Sequence, residues 1–219
     1  MLIQTFDNTL LDGLSFEASS GGTRQAPIAF LDRDGVINAN RVAHVTSWED
    51  FEFLPGSLEA IAILTRLRWM IVVVTNQASI NRGHLVESDL AQIHHLMVSR
   101  VREHGGHISA VFSCPHRPDE GCNCRKPEPG MLVAAATRHG ASLRNSILVG
   151  DHVSDIEAAR RAGCQSVLVL SGRYRLAEGE MLPDNCVATL PDLLGAAEWI
   201  ARHRTPRVPD LGQSGFVPC

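Results

Sequence analysis

Strand-like and helix-like segments alternate along residues 28–204, and this alternation constrains the fold more than any other feature of the sequence. The strand-like segments are short and rich in β-branched residues: residues 28–31, 70–76, 108–114, 146–150 and 166–170. The segments between and after them have helical periodicity: residues 57–69, 87–105, 130–140, 154–163 and 190–204. Strands that alternate with helices form parallel sheets, because the chain must cross back over the sheet before each new strand. We therefore predict an α/β fold, a parallel sheet with helices on both faces.

The composition is that of a globular protein with one domain. The chain has 219 residues, of which 44% are hydrophobic and 20% charged, and a formal net charge of -4. This charge gives no general attraction to nucleic acid or membrane. No apolar run approaches the ~20 residues that span a bilayer, and the N-terminus lacks the pattern of a signal peptide. We expect a cytoplasmic monomer with a domain over residues 27–203, an N-terminal extension (1–26) and a C-terminal tail (204–219), both loose.

Polar residues follow most of the predicted strands. The sequences after the strands read DRDG (32–35), TNQ (75–77), CPH with CRKP further along the same loop (114–127), and GDHVSD (150–155). In an open parallel sheet the ligand lies beyond the carboxyl ends of the strands, near a switch in strand order. Each motif alone has an ordinary structural explanation, such as a turn or a helix cap. Their convergence on one edge of the sheet predicts a functional site there.

The residue types at these strand ends point to phosphoryl transfer. Asp32 has the position of a nucleophile at a strand tip, and Asp34 is a second carboxyl group close to it. Asp151, supported by Asp155, would complete an oxygen site suited to Mg²⁺. A carboxylate nucleophile, an acid/base carboxyl group and Mg²⁺ together describe transfer through an aspartyl phosphate. Thr75 and Asn76 can donate hydrogen bonds to phosphoryl oxygens, and Lys126 adds a positive charge.

Cys114, His116, Cys122 and Cys124 lie within eleven positions and have the ligand types and spacing of a structural Zn²⁺ site. Four protein ligands saturate a tetrahedral zinc ion, so we predict a structural role. The loop would fix the residues that follow it, among them Lys126, the only lysine of the chain. We interpret the other internal cysteines, Cys164 and Cys186, as small buried apolar residues. We expect five histidines to be surface or helix-terminal residues: His94, His95, His104, His107 and His139.

The motifs FLDRDGVIN, VVVTNQASINRG, CPHRPDEGCNCRKPEPGM and VGDHVSD resemble those of the haloacid dehalogenase superfamily, and within it the D-glycero-D-manno-heptose-1,7-bisphosphate 7-phosphatase family. The resemblance spans about residues 27–195. It implies a Rossmann-like fold without a large cap domain, in which the zinc loop does part of the cap's work. It also implies Asp32 as nucleophile and Mg²⁺ ligand, Asp34 as general acid/base with its carbonyl on Mg²⁺, and Asp151 as the third Mg²⁺ contact.

The same resemblance implies the residues that contact the substrate, a small phosphorylated sugar. Thr75 and Lys126 would hold the phosphoryl group. Residues 40–43 and 75–79 would line the substrate, which adds Asn40, Arg41, Val42, Ala43, Asn76, Gln77 and Ala78. A bisphosphate needs further positive charge, for which we expect Arg125 and Arg82. His152 stands where the family usually has Lys or Arg.

Three hypotheses remain at the level of the sequence. The first is a Mg²⁺-dependent phosphatase that acts on the 7-phosphate of the heptose bisphosphate. The second is the same chemistry on histidinol phosphate, because the segment between His116 and Cys122 is short, as in histidinol-phosphate phosphatases. The third is a zinc-stabilised binding module without catalysis. The motifs around residues 75–83 and 125–131 favour the heptose hypothesis.

Overall fold

The computed structural model describes residues 1–6, 27–177, 179 and 181–204. Twelve helices and strands make up this part of the chain, besides two short 3₁₀ turns. The strands are β1 (Leu2–Thr5), β2 (Ile28–Leu31), β3 (Met70–Asn76), β4 (Ala110–Cys114), β5 (Ile147–Gly150), β6 (Gln165–Val169) and β7 (Cys186–Leu190). The helices are α1 (Ser57–Arg66), α2 (Glu87–Glu103), α3 (Gly130–His139), α4 (Val153–Ala162) and α5 (Leu193–His203).

The strands form one sheet in the order β1-β4-β3-β2-β5-β6-β7. All neighbouring strands are parallel except β1, which pairs antiparallel with β4. From β2 the chain winds outward through β3 and β4 on one side and through β5, β6 and β7 on the other. The order therefore switches beside β2, and the tips of β2, β3 and β5 meet there. The predicted α/β architecture is confirmed.

Both faces of the sheet are buried, because successive strand residues point to opposite sides. Along β2, Ala29 and Leu31 belong to the core beneath α1, α2 and α5. Ile28 and Phe30 belong to the core beneath α3 and α4. No helix among the described residues is long and apolar enough to cross a membrane. The described part of the chain also contains no inserted cap domain.

The N-terminal residues correct one prediction. We expected residues 1–26 to form a loose extension, but Leu2–Thr5 form the edge strand β1, with Leu2 opposite Ser113 and Thr5 opposite Ala110. This strand is short and only half-buried, so its sequence carries little periodic signal. The remainder of the predicted extension and the predicted tail from residue 205 onward lie outside the described residues. The division into extension, domain and tail stays a prediction.

The last strand and helix also differ from the prediction. Cys186–Leu190 form β7, which the sequence analysis did not predict, and α5 begins at Leu193 rather than near residue 190. The helix begins there because Asp192 caps it: its Oδ1 accepts a hydrogen bond from Gly195 N at 2.9 Å. β7 is half-buried at the sheet edge. It therefore lacks the continuous apolar run of the central strands.

Candidate active site

The tips of β2, β3 and β5 and the loop after β4 surround a cavity of about 280 Å³. Most of the predicted site residues line it: Asp32, Asp34, Asn40, Arg41, Thr75, Asn76, Gln77, Ala78, Arg82, Arg125, Lys126, Asp151 and His152. Val42 and Ala43 do not line the cavity; Val42 is 96% exposed. Five further residues line the cavity that were not predicted from the sequence: Arg33, His44, Val45, Ser154 and Arg173.

Two glycines let the backbone close around Asp151. Gly35 has φ +91°, and a Cβ there would lie 2.3 Å from Asp151 Oδ2. A Cβ at Gly172 would lie 1.7 Å from the same oxygen. Asp151 Oδ2 accepts hydrogen bonds from Asn40 Nδ2 at 3.0 Å and from Arg173 N at 3.1 Å. The carboxylate is thus held between the turn after β2 and the loop after β6, and neither glycine can be replaced without moving it.

Lys126 lies at the centre of the site and is 3% exposed. Its Nζ lies 2.8 Å from Asp32 Oδ1 and 2.6 Å from Asp155 Oδ1, and it donates to Val74 O at 2.9 Å. Three protein oxygens, two of them from carboxylates, therefore surround the ammonium group. The two carboxylates outweigh the effect of burial and raise the pKa of Lys126. The lysine is a fixed cation beside the nucleophile candidate.

The position of Lys126 is set by Asn76, for which we had predicted a contact to phosphoryl oxygens. Asn76 Oδ1 accepts from Lys126 N, and Asn76 Nδ2 donates to Lys126 O, each at 3.0 Å. The side-chain amide of Asn76 thus makes two hydrogen bonds with the backbone of Lys126, one donated and one accepted, as a residue of a neighbouring β-strand would. This pairing ties the loop after β4 to the tip of β3.

Burial raises the pKa of Asp32 to about 8, and the charges of Asp155 and Asp151 add to the effect; Lys126 opposes it. Burial and Asp155 also raise the pKa of Asp151. Asp32, Asp151 and Asp155 each offer one oxygen, and these oxygens lie within 4.8 Å of one another. One lysine cannot balance three clustered carboxylates. The arrangement therefore fits a hard divalent cation, for which carboxylate oxygens are the preferred ligands.

Asp34 has a different environment. Arg33 Nη2 donates to both oxygens of Asp34 at 2.9 Å. Asn38 Nδ2 donates to Oδ1 and Gln77 Nε2 to Oδ2, again at 2.9 Å. Burial acts to raise the pKa of Asp34, but the Arg33 guanidinium and these hydrogen bonds outweigh it, so the pKa lies below its usual range. The pKa values of Asp32 and Asp34, the two residues that flank Arg33, are thus shifted in opposite directions.

Two buried residues behind Asp34 were missed or misjudged. Arg33 is 1% exposed and His94 is 0% exposed. The prediction that His94 is a surface or helix-terminal residue is wrong, because its ring lies 3.2 Å from Arg33 Nη1 inside the core. The sequence contained a signal for its burial: His94 follows Leu90 by four positions and precedes Val101 by seven, on the apolar stripe of α2.

The predicted cysteine cluster is assembled. Cys124 Sγ lies 3.3 Å from Cys114 Sγ and 3.7 Å from Cys122 Sγ, and His116 Nδ1 lies 3.4 Å from Cys124 Sγ. A tetrahedral zinc ion with Zn–S bonds of about 2.3 Å has sulfur atoms about 3.8 Å apart, whereas disulfide sulfurs lie about 2.05 Å apart. These four side chains can hold zinc.

The loop that carries the cysteine cluster, residues 114–124, is hydrogen-bonded to the segment that follows it in the chain. Arg125 Nη1 donates to His116 O at 3.1 Å, so the arginine beside Lys126 is tied to a member of the cluster. Gly130 N donates to Asn123 O at 3.0 Å, which joins the loop to the start of α3. Of the other cysteines, Cys164 is buried and Cys186 is half-buried.

Comparisons with known proteins agree with this geometry. Residues 123–195 match a family model described as "HAD-hyrolase-like". The D-glycero-beta-D-manno-heptose-1,7-bisphosphate 7-phosphatase of Bordetella bronchiseptica is 43% identical over 80% of this chain and 98% of its own length. The enzyme of the same name from Pseudomonas aeruginosa is 40% identical over 72% of this chain and 88% of its own length.

A solved structure is similar as well. The B. bronchiseptica D,D-heptose 1,7-bisphosphate phosphatase, complexed with magnesium and phosphate, superposes with a TM-score of 0.75 at 42% identity. The match covers 80% of this chain and 98% of that one. The family resemblance inferred from the four motifs is confirmed. This chain belongs to the D-glycero-beta-D-manno-heptose-1,7-bisphosphate 7-phosphatase family of haloacid dehalogenase-like hydrolases.

Proposed function

We propose that this protein is a Mg²⁺-dependent phosphatase that removes the 7-phosphate of D-glycero-D-manno-heptose 1,7-bisphosphate through an aspartyl-phosphate intermediate. The observation that carries the proposal is the meeting of Asp32, Asp34, Lys126 and Asp151 at one edge of the sheet, from three separate segments. Relatives that share this architecture carry the name of that enzyme. Convergence of a nucleophile, an acid/base group and a fixed cation is what phosphoryl transfer requires.

In the first half-reaction an Asp32 carboxylate oxygen attacks phosphorus. A P–O bond forms to Asp32, and the bond to the C7 oxygen of the sugar breaks. Asp34 gives its proton to the departing oxygen, and Lys126 and Thr75 stabilise charge on the transferring group. Mg²⁺, held by Asp32, Asp151 and the backbone carbonyl of Asp34, would supply additional positive charge when bound.

In the second half-reaction Asp34, now a carboxylate, accepts a proton from water. The water oxygen attacks phosphorus, and the bond between phosphorus and Asp32 breaks. Phosphate leaves, Asp32 is again a carboxylate, and Asp34 again carries a proton.

The charge state of Asp34 must change between the free and the loaded site. In the free site Arg33 lowers the pKa of Asp34, which favours the carboxylate. An incoming phosphate dianion adds negative charge next to Asp34 and acts in the opposite direction, since like charges raise the pKa of a carboxyl group. Substrate binding would therefore favour the protonated form of Asp34, which the first half-reaction needs.

The charge of the cavity wall favours a bisphosphate over histidinol phosphate. Four arginines besides Arg33 line the cavity: Arg41, Arg82, Arg125 and Arg173. Guanidinium groups bind a second phosphate in a bidentate manner and repel the amine of histidinol phosphate. Arg173 belongs to the loop after β6, which the sequence analysis did not consider. It adds charge on the side where His152 replaces the usual Lys or Arg.

We also propose that the cysteine cluster holds one structural Zn²⁺, and that the enzyme works as a cytoplasmic monomer without nucleic-acid or membrane partners. The four zinc-type ligands converge at distances that suit the ion. Unpaired thiols are typical of a reducing compartment.

The test of the catalytic proposal is Asp32→Asn. The amide cannot serve as the nucleophile, so kcat should fall by more than tenfold, a barrier increase above ~1.4 kcal/mol, with the fold intact by circular dichroism. Asp89→Asn, at an exposed position in the first turn of α2, is the matched control and should keep wild-type kcat. Retention of more than about a tenth of wild-type kcat by Asp32→Asn would exclude Asp32 as the nucleophile.

A further inference from the structure

A line of buried and half-buried polar side chains leads from the N-terminal edge strand to Asp34. Gln4 Oε1 lies 2.6 Å from His94 Nδ1, and His94 Nε2 lies 3.2 Å from Arg33 Nη1. Arg33 then donates to both oxygens of Asp34. The line connects β1, α2 and the turn after β2, three elements that are far apart in the sequence. His94 and Gln4 do not line the cavity, so neither can touch the substrate.

The chemistry of the groups fixes the direction of each hydrogen bond. A guanidinium group only donates, so His94 Nε2 accepts from Arg33. The ring proton of neutral His94 therefore sits on Nδ1 and donates to Gln4 Oε1. Gln4 Nε2 donates to Ala91 O at 3.2 Å, which sets the orientation of its amide. Burial, together with the charge of Arg33, lowers the pKa of His94 well below its usual range, in agreement with a neutral ring.

This line holds the guanidinium of Arg33 from the side opposite to Asp34. Arg33 Nε and Nη2 donate to Asp34, and Nη1 is directed to His94. A buried guanidinium with one unpaired nitrogen would turn to find another partner, because an unsatisfied buried donor is costly. The plane of the guanidinium is therefore determined by His94 as well as by Asp34. Any rotation of that plane moves the two hydrogen bonds that orient the Asp34 carboxyl group.

We propose that His94, supported by Gln4, is a positioning residue that orients Asp34 for proton transfer through Arg33. This inference rests on the proposed function, in which Asp34 protonates the leaving oxygen. Proton transfer depends steeply on the placement of the acid, because the donor must lie within hydrogen-bond reach of the atom that receives the proton. A residue that only fills the core would affect all substrates alike, whereas a residue that positions the acid affects them according to their need for a proton.

The test compares His94→Leu with His94→Gln on two substrates. An alkoxide needs a proton to leave, as from β-glycerophosphate, whereas p-nitrophenolate leaves without one. We expect His94→Leu to lower kcat/KM at least about tenfold on β-glycerophosphate and less than about threefold on p-nitrophenyl phosphate. His94→Gln keeps an oxygen that can accept from Arg33 and should restore most of the loss. His95→Leu, at the exposed neighbouring position, is the matched control and should behave as wild type.

Equal losses on both substrates, or a His94→Gln variant as impaired as His94→Leu, would overturn the proposal. If His94→Leu does not fold, Gln4→Leu replaces it. This change leaves the His94–Arg33 contact in place but removes its support, so we expect a smaller loss with the same dependence on the leaving group. No such dependence in Gln4→Leu would also overturn the proposal. Wild-type behaviour of the His94 variants would contradict only this inference, whereas high activity of Asp32→Asn would contradict the proposed function itself.

Discussion

Replacing Lys126 by methionine should destabilise the protein strongly, because two buried carboxylates lose their cation. Lys126 Nζ lies 2.8 Å from Asp32 and 2.6 Å from Asp155, and Asp155 is 1% exposed. Removal of one partner of a buried ion pair costs about 3–5 kcal/mol. Methionine has a similar length, so the loss comes from charge and not from a cavity. For a protein of this size the change corresponds to a fall in Tm of roughly 6–20 °C.

The stability deficit of Lys126→Met, which is its loss in free energy of unfolding relative to wild type, should depend on pH. Burial already raises the pKa of Asp32 to about 8 with Lys126 present, and loss of the lysine raises it further. A carboxyl group with a raised pKa binds a proton in the folded state that the unfolded chain releases above pH ~4. Below about pH 8 the folded wild type and the folded variant both hold this proton, so the deficit is smallest and nearly constant there. It grows as the pH rises above 8, where the wild type releases the proton and the variant keeps it. Since the pKa of Lys126 is itself raised, its charge is constant over this range and does not reverse the trend.

Urea unfolding at pH 5.5, 7 and 8.5 in Mg²⁺-free buffer measures the effect. The comparison variant is Arg125→Met, which removes the adjacent cation but only one hydrogen bond, to His116 O, and should cost about 1 kcal/mol. A deficit for Lys126→Met below ~1 kcal/mol at pH 8.5 would refute the reasoning. A deficit that grows on acidification would refute it as well.

Two further predictions concern the metals. Dialysis against a mild chelator followed by elemental analysis should find about one zinc per chain, and Cys122→Ser should lower both zinc content and Tm, because thiolates bind Zn²⁺ tightly. A zinc-free protein of full stability would contradict the structural site. Mg²⁺ affinity, measured by isothermal titration, should rise as the pH increases through about 8, because the raised pKa of Asp32 leaves it protonated below that value. A Mg²⁺ affinity that does not change between pH 6.5 and 9 would contradict the role of Asp32 as ligand.

The site residues that could be predicted from the sequence are those that a short motif identifies, without knowledge of contacts between distant segments. Asp32 and Asp34 directly follow a buried strand, and Asp151 follows another, so the parallel arrangement alone brings them to one edge. The spacing and residue types of the cluster that includes Cys114 and Cys124 predict a metal site. No long-range contact was needed for these predictions.

The residues that were missed depend on contacts between distant segments. Gln4 meets His94 across 90 positions, and the strand that carries Gln4 is too short to be recognised by periodicity. Arg173 reaches the site through a loop whose course no strand or helix pattern predicts. His94 is the exception: its place on the apolar stripe of α2 was visible, but histidine was interpreted by residue type and not by its position on the helix.

The central claim, that the site acts on a heptose bisphosphate, is tested most directly by steady-state kinetics on the two rival substrates at saturating Mg²⁺. We expect kcat/KM on D-glycero-D-manno-heptose 1,7-bisphosphate to exceed that on histidinol phosphate at least about tenfold, a difference of ~1.4 kcal/mol in transition-state binding. Phosphorus NMR of the product should show the 1-phosphate retained. Equal values of kcat/KM, a preference for histidinol phosphate, or release of the 1-phosphate would contradict the assignment.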